Sequence, residues 1–395
     1  YDANYDSFIF NFLYYNFRDV QLMDEIENSC NAIEGQQALQ QLARCQFKST
    51  FYGSYYARVY FMRNAHFKQR SGWGDSFNED EWELQGAIVL DPEEIGSVGL
   101  HKNVVMLDFS GLYPSIMIAY NSSWETKVKR GQDEPDDIIG DRCRFRRNPE
   151  GILPKCVKEL DGLRDEYKSR RAEAGETHGK DSEEYHKWDD AQKTVKRLRA
   201  TFYGLMAFQN FAWADIDIAR TITYGGRQAL TSIMEESERL GYKVLYGHTD
   251  SIMIALGDDK SPEECADLSV ELGKHLTKMM QEKLQSDAVE VEPEILMDRF
   301  YLPRRNRYAG RIIWNPALAD PHSIAKLEVG ARIKMQGLEA KHANTAVVGR
   351  IAQIEALKLI WDDKPKEEVV SYLKQHIDSV RNGDFPLQDM CARGR

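Results

Sequence analysis

Two aspartates, Asp108 and Asp250, stand where apolar, β-prone residues meet a turn. Asp108 follows the run Val104–Leu107 and precedes a Gly-Leu-Tyr-Pro turn, whereas Asp250 lies in a Gly-His-Thr-Asp turn between two apolar runs. The second pattern is typical of a β-hairpin tip. A lone turn aspartate usually caps or solvates a loop. Two carboxylates brought together from separate strand ends favour Mg²⁺, a hard ion suited to in-line phosphoryl transfer in a two-metal site.

Composition limits the class of protein. The chain has 395 residues, a net charge of −11 and six scattered cysteines without a C-x-x-C pair. This pattern indicates reduced thiols rather than a zinc site or a disulfide framework. The sequence has no long apolar run and its first residues do not resemble a signal peptide, so we expect neither a membrane span nor secretion. Because the net charge is negative, a polyanionic partner requires local basic faces.

The elements around Asp108 mix predicted helices and strands. Apolar spacing predicts a helix over 9–29, and residues 50–100 read as short strands and loops, including strands near 51–53, 57–61 and 86–92. Pro114 is predicted to lie in the first turn of a helix that follows the Asp108 strand.

The following region is predicted to contain an antiparallel helical hairpin. Its first helix is predicted from about 154 to 171, and a polar link over 175–181 leads to a second helix with an apolar stripe from Trp188 to Leu205. The remaining predictions are a helix over about 215–240, the Asp250 hairpin, a helix over about 262–284, strands within 291–314, and tail helices from 344 and near 366–380.

Three longer segments carry a resemblance to a known family. Asp108–Ile116 is similar to the first palm motif, D-F-x-S-L-Y-P-S-I, of the family B (alpha-like) DNA polymerases. Lys196–Gly204 resembles the fingers motif K-x-x-x-N-S-x-Y-G, and Tyr246–Ser251 resembles Y-G-D-T-D-S. The three segments occur in the family's order along the chain.

Four shorter segments extend the resemblance across the chain. Leu84–Ala87 resembles the DNA-contacting Y-x-G-G turn, and Gly151–Pro154 resembles the start of the fingers. Arg305–Gly310 resembles the primer-grip segment K-K-R-Y-A-G. Tyr15–Asp19 resembles the third motif of the family's 3′–5′ exonuclease; the two earlier motifs have no convincing counterpart here, so we expect no 3′–5′ degradation.

The sequence departs from the family pattern at several positions. Gly111 replaces a Ser, Ala200 with Thr201 replaces Asn-Ser, and Asn306 replaces one of the paired lysines. His248 stands where the family has the first Asp of D-T-D. The resemblance assigns the metal-binding carboxylates to Asp108 and Asp250, which are both present, so His248 is expected to affect metal affinity and pH dependence rather than activity itself.

The resemblance implies an α+β fold of the right-hand polymerase type. We expect an antiparallel-sheet palm, a helical-hairpin fingers subdomain and a partial helical thumb. The implied boundaries are an exonuclease-side remnant over 1–48, palm over 49–135 and 216–335, fingers over 136–215, and thumb over 336–395.

The resemblance also implies a set of site residues. The catalytic residues are Asp108 and Asp250, which with Phe109 make up the metal site. His248 is an accessory residue. Apart from the resemblance, Glu294, which lies with Glu292 in a strand-like run, is expected to face the metal site as an accessory acid, although most such acids are surface residues. The nucleotide-binding residues are Ser110, Gly111, Leu112, Tyr113, Arg164, Lys168, Lys196, Ala200 and Tyr203. The DNA-binding residues are Gly86, Thr249, Arg305, Arg307 and Tyr308.

Several of these residues have an alternative interpretation. Tyr113 is expected to lie under the sugar of the nucleotide, where a rigid ring would exclude a 2′-hydroxyl, but an aromatic beside a turn can simply pack. Basic residues such as Arg164 and Lys196 suit a triphosphate, but on an exposed hairpin they can also be solvated.

The expected function is DNA-templated DNA synthesis. The cofactors implied are two Mg²⁺ ions, for which Mn²⁺ is a substitute. The partners are primer–template DNA and dNTPs, with a processivity factor or companion polymerase fragment as a further partner and no membrane. The expected location is the cytoplasm, a nucleoid or a viral replication site. Two alternatives stay open, namely a non-catalytic DNA-binding subunit that keeps the fold and one half of a split polymerase.

Overall fold

The structure is a computed structural model that describes residues 3–30, 32–64, 84–129, 131–211, 213–316, 333–342 and 344–392. The chain divides into two compact units. We call Tyr1–Gln85 with Tyr113–Tyr224 the helical unit, and Gly86–Leu112 with Gly225–Arg395 the sheet unit.

Helices and strands alternate along the described residues. In chain order, the helices are α1 (Ala3–Cys30), α2 (Ala32–Ala43), a 3-10 helix (Phe47–Phe51), α3 (Gly53–Asn64), α4 (Leu112–Ala119), α5 (Ile152–His178), α6 (Glu183–Met206), α7 (Ile216–Arg239), α8 (Pro262–Leu284), a 3-10 helix (Glu339–Lys341), α9 (Val347–Trp361), α10 (Lys366–Asn382) and α11 (Leu387–Met390). The strands are β1 (Gly99–Phe109), β2 (Ile138–Ile139), β3 (Arg144–Phe145), β4 (Lys243–His248), β5 (Ser251–Ala255), β6 (Val291–Arg304), β7 (Arg307–Trp314) and β8 (Ile333–Gln336).

The helical unit is built around the antiparallel pair α5 and α6, against which α2 and α3 pack. The apolar stripe of α6 supplies Val195, Leu198 and Phe202, which are all fully buried. Ser182 caps the start of α6, because its hydroxyl accepts the N–H of Tyr185 at 3.3 Å. The β2–β3 ribbon lies in the same unit.

The sheet unit contains an antiparallel sheet of six described strands in the order β4-β5-β1-β6-β7-β8. Strand β1 is central, and Val104, Val105 and Leu107 are fully buried, as expected for a strand covered on both faces. Helix α8 packs against β6 and β1. Gly273 permits this close approach, because a Cβ there would lie 3.1 Å from the carbonyl oxygen of Val291.

The predicted fold class is confirmed: the molecule mixes helices with an antiparallel sheet. The helix over 9–29, the helical hairpin, the Asp250 hairpin between β4 and β5, and both tail helices are present. Among the described residues, no helix has the length and apolar character needed to cross a membrane.

Some local predictions were wrong. Residues 57–61 belong to helix α3 rather than to a strand, because the apolar residues that suggested a strand form its buried face: Tyr56, Ala57, Tyr60 and Phe61. Residues 51–53, also predicted as a strand, complete the first 3-10 helix and begin α3. These short apolar runs therefore form helices in the packed structure.

The first helix of the hairpin is longer than predicted. Helix α5 continues through Gly175 to His178 instead of ending near 171, so the link to α6 is shorter than predicted. Gly175 faces the ring of Tyr185 at 3.2 Å from where its Cβ would be, and the packing of the two helices outweighs its low helix propensity.

Candidate functional site

The two aspartates singled out in the sequence lie at the same end of neighbouring strands in the sheet unit. Strand β1 pairs with β5 in a register that places Asp108 opposite Ser251. Beyond that pair, the N–H of Phe109 donates to the carbonyl oxygen of Asp250 at 2.9 Å. Both aspartates are partly exposed. The fold therefore brings together two carboxylates that are separated by more than one hundred residues in the sequence.

The tip of the β4–β5 hairpin holds Asp250 in place. Thr249 has a positive φ of 58°, and its N–H donates to the carbonyl oxygen of Ile88 at 3.0 Å. The N–H of Asp250 donates to the carbonyl oxygen of His248 at 2.7 Å, which closes the turn. The exposed His248 ring has its Nδ1 3.1 Å from the hydroxyl of Thr249. The imidazole of His248 therefore contacts the hairpin that carries it.

A third carboxylate, that of Glu292, lies on the other side of β1. Asp108 is directly opposite Glu292 in the β1–β6 pairing, and paired residues of an antiparallel ladder project from the same face of the sheet. The register shifts between Met106 and Leu107, so that Glu294 is left without a pairing position on β1. The Glu294 carboxylate instead lies 3.2 Å from Nζ of Lys334.

This geometry changes one residue of the sequence-based site. Glu294 was expected to be an accessory acid near the metal site, and the structure places Glu292 beside Asp108 instead. In an unbroken register Glu294 would oppose Leu107 and Pro293 would oppose Asp108. The β-bulge inserts one residue into β6, so that Glu292 comes to lie opposite Asp108. Two acids at alternate positions of one strand cannot be told apart from sequence alone, because the bulge depends on the pairing.

The atoms gathered here suit a hard divalent cation. Asp108, Asp250 and Glu292 offer carboxylate oxygens. Phe109, whose buried ring carries no ligand atom, can offer only its main-chain carbonyl oxygen. That carbonyl accepts the N–H of Gly111 at 2.5 Å and retains a second lone pair. An all-oxygen donor set of this kind fits Mg²⁺ or Mn²⁺ rather than a softer metal.

The turn that follows β1 is formed by Ser110 and Gly111. The N–H of Ser110 donates to the carbonyl oxygen of Glu290 at 3.0 Å, and Gly111 has a φ of 81°. A glycine adopts this left-handed conformation without strain, which accounts physically for the departure from Ser at this position. Leu112, 3% exposed, then anchors the start of α4 in the core.

A second turn of the sheet unit carries the basic residues of the predicted primer grip. Asn306 lies between β6 and β7 with a φ of 59°, a conformation that Asn tolerates better than Lys. The buried hydroxyl of Tyr246 donates to Asn306 Oδ1 at 2.9 Å and accepts the Asn306 N–H at 3.0 Å. These two bonds tie the turn to β4, the strand that leads to Asp250. No pattern in the sequence indicated this link.

The basic side chains around Asn306 differ in what they can reach. Arg305 is exposed, and Arg307 forms an ion pair with Glu339 at 2.7 Å. Tyr308 is 9% exposed and its ring lies 5.7 Å from that of Phe300, so it packs in the core and burial raises its pKa to about 12. A direct DNA contact predicted for Tyr308 does not fit this burial, which leaves the two arginines as the residues of this turn that can contact a phosphate.

The predicted DNA-contacting turn around Gly86 is exposed. The carbonyl oxygen of Gly86 accepts a hydrogen bond from Nη1 of Arg227 on α7 at 3.0 Å. A few residues later, Val89 forms a bridge with His248, and the N–H of Leu90 donates to the carbonyl oxygen of Gly247 at 2.9 Å. This segment, predicted as a strand, therefore runs along β4 towards the Asp250 hairpin.

In the helical unit, Tyr113 and Tyr203 are neighbours. Their ring centroids are 4.5 Å apart at an angle of 45°, and both side chains are partly exposed. Lys196 and Ala200 are exposed on the same side of α6 as Tyr203, two turns and one turn towards the start of the helix. The spacing argument for one shared face of α6 is consistent with this exposure.

Arg164 and Lys168 lie on α5, which packs against α6. Lys168 is half-buried and its Nζ lies 3.3 Å from Asp165, whereas the partly buried Arg164 forms no ion pair among the described residues. Deeper between the helices, Asp161 and Arg199 form an ion pair at 2.8 Å. Burial raises the pKa of Asp161 against the opposing effect of Arg199.

A separate acidic cluster lies in the helical unit. One carboxylate oxygen from each of Glu134, Asp136 and Asp137 lies within 4.8 Å of the others. Arg146 bridges two of these acids, at 2.9 Å from Asp137 and 3.0 Å from Glu134. Burial opposes ionisation of Asp137, but the Glu134 N–H and Arg146 hold its pKa below the usual value. Arg146 therefore neutralises part of the negative charge of the cluster, and its ion pairs close the loop between residues 134 and 146.

Comparisons with known proteins show what this chain is similar to. The sequence model described as DNA polymerase family B matches residues 40–393. A DNA polymerase of Archaeoglobus fulgidus is 28% identical over 306 residues, which cover 78% of this chain and 34% of that protein. DNA polymerase 2 of Aeropyrum pernix is 25% identical over 314 residues, which also cover 78% of this chain and 34% of that protein. The chain thus spans about a third of the length of these relatives.

A further relative and a solved structure extend the comparison. A DNA polymerase of Pyrococcus glycovorans is 26% identical over 306 residues, which cover 77% of this chain and 36% of that protein. The family B DNA polymerase of Pyrobaculum calidifontis has a similar structure, with a TM-score of 0.58 and 22% identity. The match covers 91% of this chain and 43% of that one, and it shows a shared fold.

Proposed function

Because this chain belongs to DNA polymerase family B, we propose that it catalyses DNA-templated DNA synthesis. The reaction adds a deoxynucleoside monophosphate to a primer 3′-hydroxyl and releases pyrophosphate. The observation that carries the proposal is the placement of Asp108 and Asp250 at adjacent ends of β1 and β5, joined through the hydrogen bond from Phe109 N–H to the Asp250 carbonyl oxygen. This adjacency of the two strand ends supports the assignment of Asp108 and Asp250 as the metal-binding pair.

The metal site is proposed to consist of Asp108, Asp250 and the carbonyl oxygen of Phe109, with Glu292 beside Asp108. These oxygen ligands would hold two Mg²⁺ ions, with Mn²⁺ as a substitute. When bound, two such ions lower the pKa of the primer hydroxyl and neutralise the charge of the pyrophosphate. The contribution of the protein is to fix Asp108 and Glu292 on paired strands and Asp250 in the tight turn that joins β4 to β5.

Residues of the helical unit are proposed to bind the incoming nucleotide. Arg164, Lys168 and Lys196 would pair with the triphosphate, to which Arg offers a planar fork and Lys a point charge. Tyr113 would lie against the sugar and exclude a 2′-hydroxyl, and the ring of Tyr203, 4.5 Å away, would restrict how far Tyr113 can turn. Ala200, on the same face of α6, leaves room beside the base.

Residues of the sheet unit are proposed to bind the remaining parts of the substrates. Ser110 and Gly111, whose N–H groups already donate to Glu290 and Phe109, would shape the turn, and a phosphate would lie at the N–H of Leu112, the first residue of α4, where a helix N-terminus favours an anion. Contacts to the primer–template would come from Gly86, Thr249 and the arginines Arg305 and Arg307. Such contacts to phosphates position DNA without reading its sequence.

The subdomain boundaries follow from the same family assignment. We propose palm over 49–135 and 216–335, fingers over 136–215 and a partial thumb over 336–395, with an exonuclease-side remnant over 1–48. A processivity factor or companion polymerase fragment is proposed as a further partner.

The proposal is tested by removing one charge at a time. Asp108→Asn and Asp250→Asn should each lower the primer-extension rate by about 10³-fold or more, roughly 4 kcal/mol of barrier. Binding of primer–template should change little. The matched control is Asp258→Asn, which neutralises an exposed acid elsewhere in the sheet unit and should leave the rate unchanged.

Two results would contradict the proposal in different ways. Near wild-type extension by either aspartate variant would show that the metal site has been assigned wrongly. Tight primer–template binding by the wild-type chain, without extension in Mg²⁺ or Mn²⁺, would instead favour the non-catalytic DNA-binding alternative, for which the His248 and Ala200 departures are the supporting observations.

A further inference from the structure

One stretch of this acidic chain carries basic residues and no acidic ones. Between Gly35 and Gly74 the sequence contains no Asp or Glu, although the whole chain has a net charge of −11. The basic residues of this stretch are Arg44, Lys48, Arg58, Arg63, Lys68 and Arg70. The described part of the stretch spans α2, the following 3-10 helix and α3, all within the helical unit. A local positive surface therefore exists where the total charge predicts none.

Helix α3 has one buried face and one exposed face. Tyr55, Arg58 and Met62 recur at intervals of three and four residues and are exposed. The side chain of Arg58 lies over the ring of Trp213, 5.9 Å from its centroid. Since the opposite face of α3 supplies the core of the unit, the exposed face is available to a ligand without disturbing the fold.

Three aromatic rings of this stretch are exposed. Phe51 is 64% exposed, Tyr52 is 68% and Tyr55 is 46%. Phe51 is braced by Phe47, whose ring is nearly perpendicular to it with the centroids 5.8 Å apart. Tyr52 and Tyr55 are held one turn apart by a hydrogen bond from the Tyr55 N–H to the Tyr52 carbonyl oxygen at 2.9 Å. The backbone that carries these rings is thus held in place while the rings remain open to solvent.

A cleft of about 440 Å³ lies in the same unit, between the end of α2 and the end of α3. Leu42, Ala43 and Tyr60 form its apolar lining, and Arg44 and Arg63 provide its positive charge. Both arginines are exposed, and neither forms an ion pair with an acidic side chain among the described residues. Two guanidinium groups beside an apolar cleft favour a ligand that carries both flat apolar groups and phosphates.

We infer that the surface formed by Arg44, Lys48, Phe51, Tyr52, Tyr55 and Arg63, here called the basic aromatic surface, binds single-stranded DNA. Open aromatic faces stack on unpaired bases, and flanking cations follow the phosphates. A duplex would present only its phosphates, because its base faces are already stacked. The inference rests on the proposed polymerase function, because that function identifies the single strand as the unpaired part of the template.

Binding of a single strand is measured directly and without catalysis. A fluorescent oligodeoxythymidine of about 20 nucleotides is titrated with the full chain in EDTA, so that the metal site is not engaged. Replacing both Tyr52 and Tyr55 with Ala should weaken binding at least about tenfold, since stacking on each ring contributes about 1–3 kcal/mol per base by alanine substitution. Replacing both with Phe should restore most of the affinity, because Phe keeps the ring.

The charge component is measured through salt dependence. In the Arg44→Ala/Arg63→Ala variant, the slope of log affinity against log salt should become shallower by about 1.4, or about 0.7 for each phosphate that the variant no longer neutralises. The matched controls are Lys366→Ala and Leu387→Ala, an exposed lysine and an exposed leucine of the sheet unit. Both controls should bind like the wild type. Because all substituted side chains are exposed, thermal unfolding should be unchanged in every variant.

The results separate this inference from the proposed function. Asp108→Asn should bind the single strand as tightly as the wild type although it does not extend primers. On primer–templates with longer 5′ overhangs, affinity should rise for the wild type and stay flat for the tyrosine variant. Equal single-strand affinity of the surface variants and the controls would overturn the inference. An equal loss of blunt-duplex binding would also overturn it, because it would show a general electrostatic effect without selection for unpaired bases.

Discussion

The link between Tyr246 and Asn306 makes a quantitative prediction. Tyr246 is 1% exposed, and its hydroxyl makes two hydrogen bonds to Asn306, at 2.9 Å to Oδ1 and 3.0 Å from the N–H. Tyr246→Phe keeps the ring and its packing and removes only these two bonds. The change therefore loosens the turn that carries Arg305 and Arg307 without creating a cavity.

The expected loss in the free energy of unfolding depends on how exposed Asn306, the partner of Tyr246, is to solvent. A hydrogen bond contributes about 0.5–1.5 kcal/mol net, and a buried partner left unsatisfied costs more. Asn306 is exposed, so its freed groups can bind water, and the two bonds together should contribute roughly 1–2 kcal/mol to the free energy of unfolding. Because Arg305 and Arg307 lie on this turn, primer–template affinity should fall by about fivefold, close to 1 kcal/mol.

Denaturant unfolding and fluorescence anisotropy with primer–template measure the two quantities. The matched control is Asn306→Gly, which keeps the positive φ and the N–H but removes Oδ1. In a double-mutant cycle the two changes should be coupled by about 1 kcal/mol, because they share one bond. If Tyr246→Phe left both stability and DNA affinity unchanged, or if the two variants were additive, the proposed link between β4 and the turn would be refuted.

Three further predictions concern the nucleotide and the metal. Tyr113→Ala should raise incorporation of ribonucleotides relative to deoxyribonucleotides, whereas Tyr113→Phe should not, because the ring of Tyr113 rather than its hydroxyl excludes the 2′-OH. Competition between labelled nucleotides measures the ratio of ribonucleotide to deoxyribonucleotide incorporation. Single Ala substitutions at Arg164, Lys168 or Lys196 should raise the KM for dNTP about tenfold and leave primer–template affinity nearly intact, since each removes a cation that faces a triphosphate. Steady-state extension, with dNTP and primer–template varied in turn, distinguishes a change in the KM for dNTP from a change in primer–template affinity. His248→Asp should bind Mg²⁺ at least as well as the wild type, because it adds a carboxylate next to Asp250, and the Mg²⁺ dependence of extension measures this.

Each of these predictions has a result that contradicts it. Unchanged sugar discrimination in Tyr113→Ala would leave that residue with a packing role against Tyr203. If Lys180→Ala, an exposed control at the tip of the same helical hairpin, raised the KM as much as the three clamp variants did, the effect would be one of general charge. Weaker Mg²⁺ activation of His248→Asp would mean that the imidazole contributes to the site in another way.

The sequence predicted those features that depend on local pattern. Helix spacing located α1, α8 and the two helices of the tail, and the Gly-His-Thr-Asp turn located the hairpin between β4 and β5. These patterns are local because a helix or a hairpin satisfies its own backbone hydrogen bonds. The order of short motifs likewise identified the family, because each motif is read from consecutive residues.

Local pattern was misleading where tertiary packing outweighed it. The apolar and aromatic residues around Tyr60 read equally well as a strand, and only their burial against α6 shows that they form one side of helix α3. Short apolar runs are ambiguous between helix and strand for this reason. Gly175 suggested the end of α5, but the helix continues because it packs against α6.

The arrangement of the site depended on the tertiary structure. The sequence alone determined that Asp108 and Asp250 each stand at a strand end, and the pairing of β1 with β5 placed those ends side by side. The β-bulge in the β1–β6 pairing brought Glu292 opposite Asp108, where an unbroken register would have placed Pro293, and left Glu294 without a pairing position on β1. The physical reason is that the side chains of a strand alternate between its faces, so one inserted residue changes every neighbour beyond it, and that insertion is a property of the pair of strands rather than of either sequence.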